Sequence, residues 1–151
     1  MFQLPLGCNI NNLIDDLRII SWKACDIFHY YSKKIKENNF AKEFIEYKSK
    51  NDPVTIADLK VNNLVITEIN KKYSHINWSF LSEEKSLQIN ENSEALYDWM
   101  WVLDPLDGTR DFIQNTGDYA MHLALNFKNN PILGIVLIPS REELWIADGN
   151  N

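Results

Sequence analysis

Carboxylate side chains follow two short apolar runs of the sequence, at the points where each run ends. Glu83 comes shortly after Ile76–Leu81, while Asp104 and Asp107 follow Trp99–Leu103. Ionised groups at the edge of a core are costly unless they are paired or bound to a cation. Carboxylate oxygens are the ligands that Mg²⁺ prefers. The pattern therefore predicts a magnesium site, in which Asp104 is placed to bridge two ions.

The residues after these carboxylates favour binding of an anion at the same place. Gly108 allows the backbone to approach a ligand closely, and a short helix beginning at Thr109 would direct free N–H groups at a phosphate. Each carboxylate taken alone is better explained as the cap of a turn. Only the combination of acidic residues, glycine and helix start favours a site where cations and amides meet one phosphate.

Two amphipathic helices are predicted before this region. The first begins after Asn11 or Asn12 as N-cap, and Thr55 caps the second. Between them, Phe40–Lys50 is interpreted as extended structure and Asn51–Pro53 as a turn. The apolar residues recur at steps of three and four: Leu13, Leu17, Ile20, Ala24, Ile27, Tyr31 and Ile35 in the first helix, and Ala57, Val61, Leu64, Val65 and Ile69 in the second.

The rest of the chain has the character of a β-sheet. Ile76–Leu81 and Trp99–Leu103 are short enough for buried strands. Tyr119–Phe127, Ile132–Pro139 and Glu143–Ala147 are joined by short connections, which predict an antiparallel meander. The predicted fold class is α+β, with two N-terminal helices packed on an antiparallel β-meander in one domain of residues 1–151.

Composition excludes several classes of partner. The chain has 45% hydrophobic and 24% charged residues and a net charge of −6, so attraction to a nucleic acid polymer is not favoured. No stretch reaches the ~18 apolar residues of a membrane span. The N-terminal segment MFQLPLGCNINN has no basic residue, and Cys8 and Cys25 cannot form a disulfide framework, so we expect a cytoplasmic protein.

The run DPLDGT at Asp104–Thr109, with LSEE at Leu81–Glu84, resembles the lithium-sensitive, magnesium-dependent phosphatases of the inositol monophosphatase superfamily. Further matches occur in the same order, at Pro53–Asp58, Gly117–Leu125 and Gly134–Pro139. The wording DPLDGTRDFI and the position of Lys48 before Pro53 are more similar to the 3'(2'),5'-bisphosphate nucleotidases than to the inositol branch. The resemblance thus implies the N-terminal layers of the sugar phosphatase fold.

The resemblance also implies a set of metal ligands. Glu83, Asp104 and the main-chain carbonyl of Leu106 would bind the first Mg²⁺, while Asp104 and Asp107 would share the second. Family members use two or three ions, and one further ligand comes from a C-terminal Trp-Asp motif. No such motif follows in these 151 residues, so the expectation is one incomplete metal site and an absent C-terminal α/β part.

The implied catalytic roles fall on three residues. Asp58 would hydrogen-bond the hydroxyl of Thr109, and Thr109 with Glu83 would orient and help deprotonate the water that attacks phosphorus. The amides of Gly108 and Thr109 would hold the phosphate. Lys48 is a further candidate for phosphate binding, with a solvated surface charge as the alternative. His122 is interpreted as a core or interface residue.

Three hypotheses for function follow. The first is removal of the 3'-phosphate of adenosine 3',5'-bisphosphate to give AMP, an activity of sulfur metabolism. The second is a non-catalytic remnant or one half of a split enzyme. The third is hydrolysis of an inositol or sugar monophosphate. In each catalytic case the partner is a small phosphorylated substrate.

Assembly is predicted from the number of apolar residues in the meander. They exceed what one layer of two helices is expected to cover, so we expect a homo-oligomer or a separately encoded C-terminal half. The residues concerned are Met121, Leu123, Leu125, Ile132, Leu133, Ile135, Val136, Leu137 and Ile138.

Overall fold

The computed structural model describes residues 4–37, 44–49, 52–84 and 98–149, with the side chains of 47–49 and 52–53 outside the description. The elements, in chain order, are α1 (Ile10–Glu37), β1 (Ile45–Ser49), β2 (Asp52–Thr55), α2 (Ile56–Lys72), β3 (Ser79–Ser82), β4 (Trp99–Asp107), α3 (Thr109–Gln114), β5 (Ala120–Phe127), β6 (Asn130–Ile138), a 3₁₀ turn (Pro139–Arg141) and β7 (Glu143–Asp148). The predicted α+β class with an antiparallel meander is confirmed. None of the helices in these described ranges is long and apolar enough to cross a membrane.

Helix α1 begins earlier than the sequence predicted. The side chain of Asn9 accepts hydrogen bonds from the backbone N–H groups of Asn11 and Asn12, so Asn9 is the capping residue and the two predicted caps lie inside the helix. Three asparagines within four positions offer equivalent caps, and the pattern of apolar residues does not choose among them. The predicted stripe is otherwise confirmed, with Ile27 and Tyr31 only partly buried.

Helix α2 begins where the sequence predicted, after Thr55. The Thr55 hydroxyl accepts from the backbone N–H of Asp58, and the Asp58 carboxylate accepts from the backbone N–H of Thr55 at 2.8 Å, which together form a capping box. This reciprocal pair is almost fully buried. The cap therefore also fixes the Asp58 carboxylate at the start of the helix.

The predicted turn at Asn51–Pro53 is wrong for the two residues of it that the structure describes. Asp52 and Pro53 lie in β2, which pairs antiparallel with β1 so that Pro53 lies opposite Tyr47. A two-stranded ribbon tolerates proline because each strand has a free edge, where the missing N–H is not needed.

The larger sheet has the order β3-β4-β5-β6-β7, with β3 parallel to β4 and the other pairs antiparallel. Strand β3 starts at Ser79, later than predicted, and β4 continues beyond Leu103 to Asp107. The pairing of β4 with β5 shifts register between Asp104 and Asp107. The two aspartates therefore lie inside and at the end of a distorted strand, not in a turn after it.

The three helices pack on one face of this sheet. Side chains alternate along each strand, so Met121, Leu123 and Leu125 point into the core, as do Leu133, Ile135 and Leu137 on β6. We expected some of the nine apolar residues counted in the meander to need another partner, and six of the nine are buried within the chain. Ile132, Val136 and Ile138 are only partly buried.

The opposite, outer face of the sheet carries a groove of about 430 Å³. Cross-strand pairing places Ala124, Gly134 and Ala147 side by side as its floor. Trp145, 64% exposed, lines its rim. Asp104 and His122 line the same groove. An exposed groove of mostly small and apolar residues is a common place for another polypeptide to bind.

We predict that the isolated chain self-associates through this outer face at micromolar concentration. Replacing Trp145 with glutamate would add a charge to the groove and shift the population to monomer. Size-exclusion chromatography with light scattering measures the change, and Trp22→Glu on exposed α1 is the matched control. A wild-type chain that is monomeric throughout would contradict the prediction.

Candidate active site

The parallel pairing of β3 with β4 brings the acidic residues together. Ser82 lies opposite Leu103, so the next residues along the two strands, Glu83 and Asp104, are neighbours. The backbone N–H of Glu83 donates to the Leu103 carbonyl at 3.2 Å, which extends the pairing beyond β3. The predicted convergence of these two carboxylates is therefore present in the structure.

The electrostatic environment of Asp104 is unfavourable to its charge. Partial burial raises the pKa of Asp104 to about 7, and the adjacent carboxyl of Glu83 and the charge of Asp107 contribute to the same shift. A cation at this position would remove the repulsion and return the carboxylate to its ionised form. The donor set of Glu83, Asp104, Asp107 and the Leu106 carbonyl, all oxygen, fits a hard divalent ion.

The ligands are not yet arranged around one point. Within the described ranges, no three acidic, histidine or cysteine side chains already form a metal-binding group. The Asp107 carboxylate instead lies 3.3 Å from Nε2 of His122. The Leu106 carbonyl accepts a hydrogen bond from the Thr109 hydroxyl at 3.0 Å. Binding of an ion would have to compete with the contact of Asp107 to His122, whereas the Leu106 carbonyl has a second lone pair.

The hydroxyl of Thr109 lies between two acceptors. It is 3.0 Å from the carbonyl of Leu106 and 3.3 Å from Oδ1 of Asp58, and its single proton can serve only one of them well. Burial raises the pKa of Asp58 to about 6, although hydrogen bonds from Thr55 oppose the shift. Above that pH, Asp58 is ionised and can accept the hydrogen bond that the Thr109 hydroxyl donates. The lone pairs of the Thr109 oxygen can then accept a hydrogen bond from another donor.

Gly108 occupies a position that no other residue fits. Its φ is +83°, and a Cβ atom there would lie 2.7 Å from the backbone oxygen of Asp118. The conformation turns the chain directly from β4 into α3, whose first residue is Thr109. The amides of Gly108 and Thr109 are therefore placed beside the carboxylates, and their binding of phosphate stays a prediction.

Lys48 is placed only by its backbone. It lies in β1, and its side chain is outside the described set, so its predicted contact with phosphate stays untested.

His122 lies at this site, although its sequence context indicated a core or interface position. It is opposite Asp104 in the pairing of β4 with β5, and its side chain reaches Asp107. Successive side chains of a strand point to opposite faces of the sheet, and Met121 and Leu123 on either side of His122 point into the core. The alternation along β5 therefore indicates that His122 points away from the core.

We predict that the metal-free chain is more stable at pH 5 than at pH 8. Asp58 and Asp104 have pKa values raised to about 6 and about 7, so the folded state holds protons that the unfolded chain releases. Stability therefore falls as pH rises from about 4 to about 7, by on the order of 5 °C in melting temperature. Scanning calorimetry at the two pH values, with and without Mg²⁺, checks this. A higher melting temperature at pH 8 without Mg²⁺ would contradict it.

Comparison with known proteins agrees with this geometry. Residues 18–151 match the model of the inositol monophosphatase family. The chain belongs to the inositol monophosphatase family, as the resemblance implied.

The chain is also similar to individual curated proteins and to a solved structure. The chain is 36% identical to the bifunctional phosphatase IMPL2 of Arabidopsis thaliana over 77% of its length and 32% of the relative. It is 31% identical to the 3'(2'),5'-bisphosphate nucleotidase CysQ of Buchnera aphidicola over 71% of its length and 39% of the relative. The SuhB structure from Bartonella henselae superposes with a TM-score of 0.77 at 23% identity, and the match covers 93% of this chain and 50% of that one.

Each match covers only part of the relative. The chain spans about half of that solved structure and a smaller share of the two curated relatives. Family members are generally metal-dependent.

Proposed function

We propose that the protein is a Mg²⁺-dependent phosphomonoesterase that releases the 3'-phosphate of adenosine 3',5'-bisphosphate. The observation that carries the proposal is the contact between Asp58 and Thr109 beside the paired carboxylates of Glu83 and Asp104. It places a hydroxyl with a buried acceptor in the same motif as a cluster of carboxylates. That combination suits activation of a water molecule at a phosphate ester.

Each residue has a defined part in the hydrolysis. Asp58 accepts a hydrogen bond from the Thr109 hydroxyl, so that the Thr109 oxygen accepts a hydrogen bond from the attacking water. Glu83 takes up the proton released as the water oxygen bonds to phosphorus. The bond from phosphorus to the 3'-oxygen breaks, and this oxygen takes a proton from solvent water to give the 3'-hydroxyl of the product. The amides of Gly108 and Thr109 donate to the phosphate oxygens. A divalent ion held by Glu83, Asp104, Asp107 and Leu106 would lower the pKa of the water and neutralise the leaving oxygen.

A recess beside the acidic residues supports a substrate with a second anionic group. It has a volume of about 200 Å³ and is lined by Arg141 together with Asp107, Asp118 and Gly117. The backbone of the turn that carries Arg141 is held by two hydrogen bonds, from His29 to the Pro139 carbonyl at 2.9 Å and from Ser140 to the Gly117 carbonyl at 2.6 Å, while the Arg141 side chain is exposed. A guanidinium can pair with phosphate oxygens. Arg141 is therefore the residue of this recess that supports a second phosphate on the substrate.

The second candidate is a non-catalytic chain. It rests on the observation that, within the described ranges, the acidic side chains do not already form a metal-binding group. In that case the site binds ions and phosphate without turnover.

Release of inorganic phosphate tests the proposal. The chain is assayed with Mg²⁺ and with adenosine 3',5'-bisphosphate, 3'-AMP and inositol 1-phosphate. We expect the bisphosphate to be hydrolysed with the highest kcat/KM, and Arg141→Gln to lower that value about tenfold while leaving 3'-AMP unaffected. Arg18→Gln, an exposed arginine paired with Asp15, is the matched control. Absence of phosphate release from all three substrates would leave the non-catalytic candidate.

A further inference from the structure

Asn62 is a polar side chain at the centre of the buried face of α2. It is fully buried, and its Oδ1 atom accepts the hydroxyl proton of Ser82 at 2.6 Å. Ser82 is itself only 5% exposed and is the last residue of β3, directly before Glu83. The hydrogen bond therefore joins α2 to the backbone that carries Glu83.

Burial of this amide is unfavourable in itself. Its Nδ2 atom is buried, and within the described part of the chain it has no hydrogen-bond partner. The neighbouring buried positions of α2, Val61 and Val65, are apolar. A buried amide with an unsatisfied donor costs more than an apolar side chain of the same size, so packing alone does not account for asparagine at this position.

The spacing along α2 connects Asn62 with the candidate catalytic pair. Asp58 and Asn62 are four residues apart and therefore lie on the same face of the helix. Asp58 contacts Thr109 at the start of α3, while Asn62 contacts Ser82 at the end of β3. Two successive turns of one helix thus hold the two segments that supply Thr109 and Glu83.

We propose that Asn62 is a positioning residue, which through Ser82 sets the location of Glu83 relative to Asp104 and to the Asp58–Thr109 pair. The inference rests on the proposed function, in which Glu83 binds the divalent ion. A second contact points the same way, because the Ser82 hydroxyl oxygen accepts the backbone N–H of Glu84 at 3.4 Å. The hydroxyl is therefore bonded to helix α2 and to the turn on the far side of Glu83.

Loss of this link would loosen the turn at residues 82–84. Glu83 would keep its backbone bond to Leu103 but lose the connection to α2. Partners that orient a metal ligand typically contribute 10–100-fold to ion affinity. We expect the same fold-change in ion affinity when this link is lost, and a smaller effect on the stability of the fold.

The test is calorimetric titration of the full chain with Mn²⁺. Ser82→Ala and Asn62→Leu are expected to weaken Mn²⁺ binding by about 10–100-fold, whereas Ser82→Thr, which keeps the hydroxyl, stays within about threefold of wild type. Ser79→Ala is the matched control, since Ser79 lies on the same strand, is buried, and its hydroxyl has no hydrogen-bond partner within the described residues. Melting temperatures measured in parallel without ion report on folding. If Asn62→Leu does not fold, the affinities of the serine variants are compared with that of the wild type alone.

The outcomes separate this inference from the proposed function. A wild-type chain that binds Mn²⁺, together with a Ser82→Ala chain that binds it equally well, would overturn the positioning role and leave the proposed function standing. Equal weakening by Ser79→Ala would also overturn it, because the effect would then be general to β3. A wild-type chain without Mn²⁺ binding at millimolar concentration would refute the metal site of the proposed function, and this inference with it.

Discussion

Replacing Asp104 with asparagine is expected to weaken Mg²⁺ and Mn²⁺ binding by at least about 100-fold, since even residues that only orient a ligand contribute 10–100-fold. Asp104 is central because its pKa is raised to about 7 by partial burial and by the carboxylates of Glu83 and Asp107. A bound cation relieves this repulsion, and an amide offers the ion one neutral oxygen in place of a charged one. Isothermal titration measures the loss.

The same substitution has the opposite effect on the metal-free protein. Without the charge at position 104, the repulsion with Glu83 is removed, so the melting temperature at pH 8 is expected to rise while ion affinity falls. Asp26→Asn on the exposed surface of α1 is the control, with neither change expected. Unchanged ion binding in the Asp104 variant would refute the assignment of the metal site.

Much of the fold was predictable because it depends on local periodicity. The stripe from Leu13 to Ile35 predicted α1, and Thr55 as a capping residue marked the start of α2. Short connections between the last three strands predicted their antiparallel order. These signals arise within one turn or one hairpin, where chain geometry leaves few alternatives.

Other features depend on contacts between distant segments. The continuation of β4 through Pro105 to Asp107 is possible because the register with β5 shifts there, which no local pattern indicates. His122 reaches the site only through that pairing. Asn62 was missed for the same reason, because its partner Ser82 is twenty residues away.

Some features of the candidate site were also predictable from the sequence, while others depend on contacts between distant segments. The motif from Asp104 to Thr109 and its resemblance to a family nominated the acidic residues as metal ligands, a role that stays a prediction. The parallel pairing of β3 with β4 then explains why Glu83 belongs beside Asp104. The sequence did not indicate that Asp107 contacts His122 or that the Leu106 carbonyl accepts a hydrogen bond from Thr109.

If the chain turns over substrate, Thr109→Ala is expected to lower kcat by about 10²–10⁴-fold, the usual contribution of a group that assists proton transfer. Divalent ion affinity should change by less than about tenfold, because the lost hydroxyl acts on the water and not on the ion. Thr116→Ala is the matched control, since Thr116 also has a hydroxyl bonded to a carboxylate, at 3.1 Å from Asp111, but lies outside the site.

The pH profile links this hydroxyl to Asp58. Because burial raises the pKa of Asp58 to about 6, the rate should fall as pH decreases through that value, where the carboxyl takes up a proton and stops accepting from Thr109. Asp58→Asn should lower the rate by a similar factor and abolish the inflection near pH 6. It also disturbs the capping box with Thr55, so some loss of melting temperature is expected. A rate that falls only in proportion to ion affinity would instead make Thr109 and Asp58 structural supports of the metal ligands.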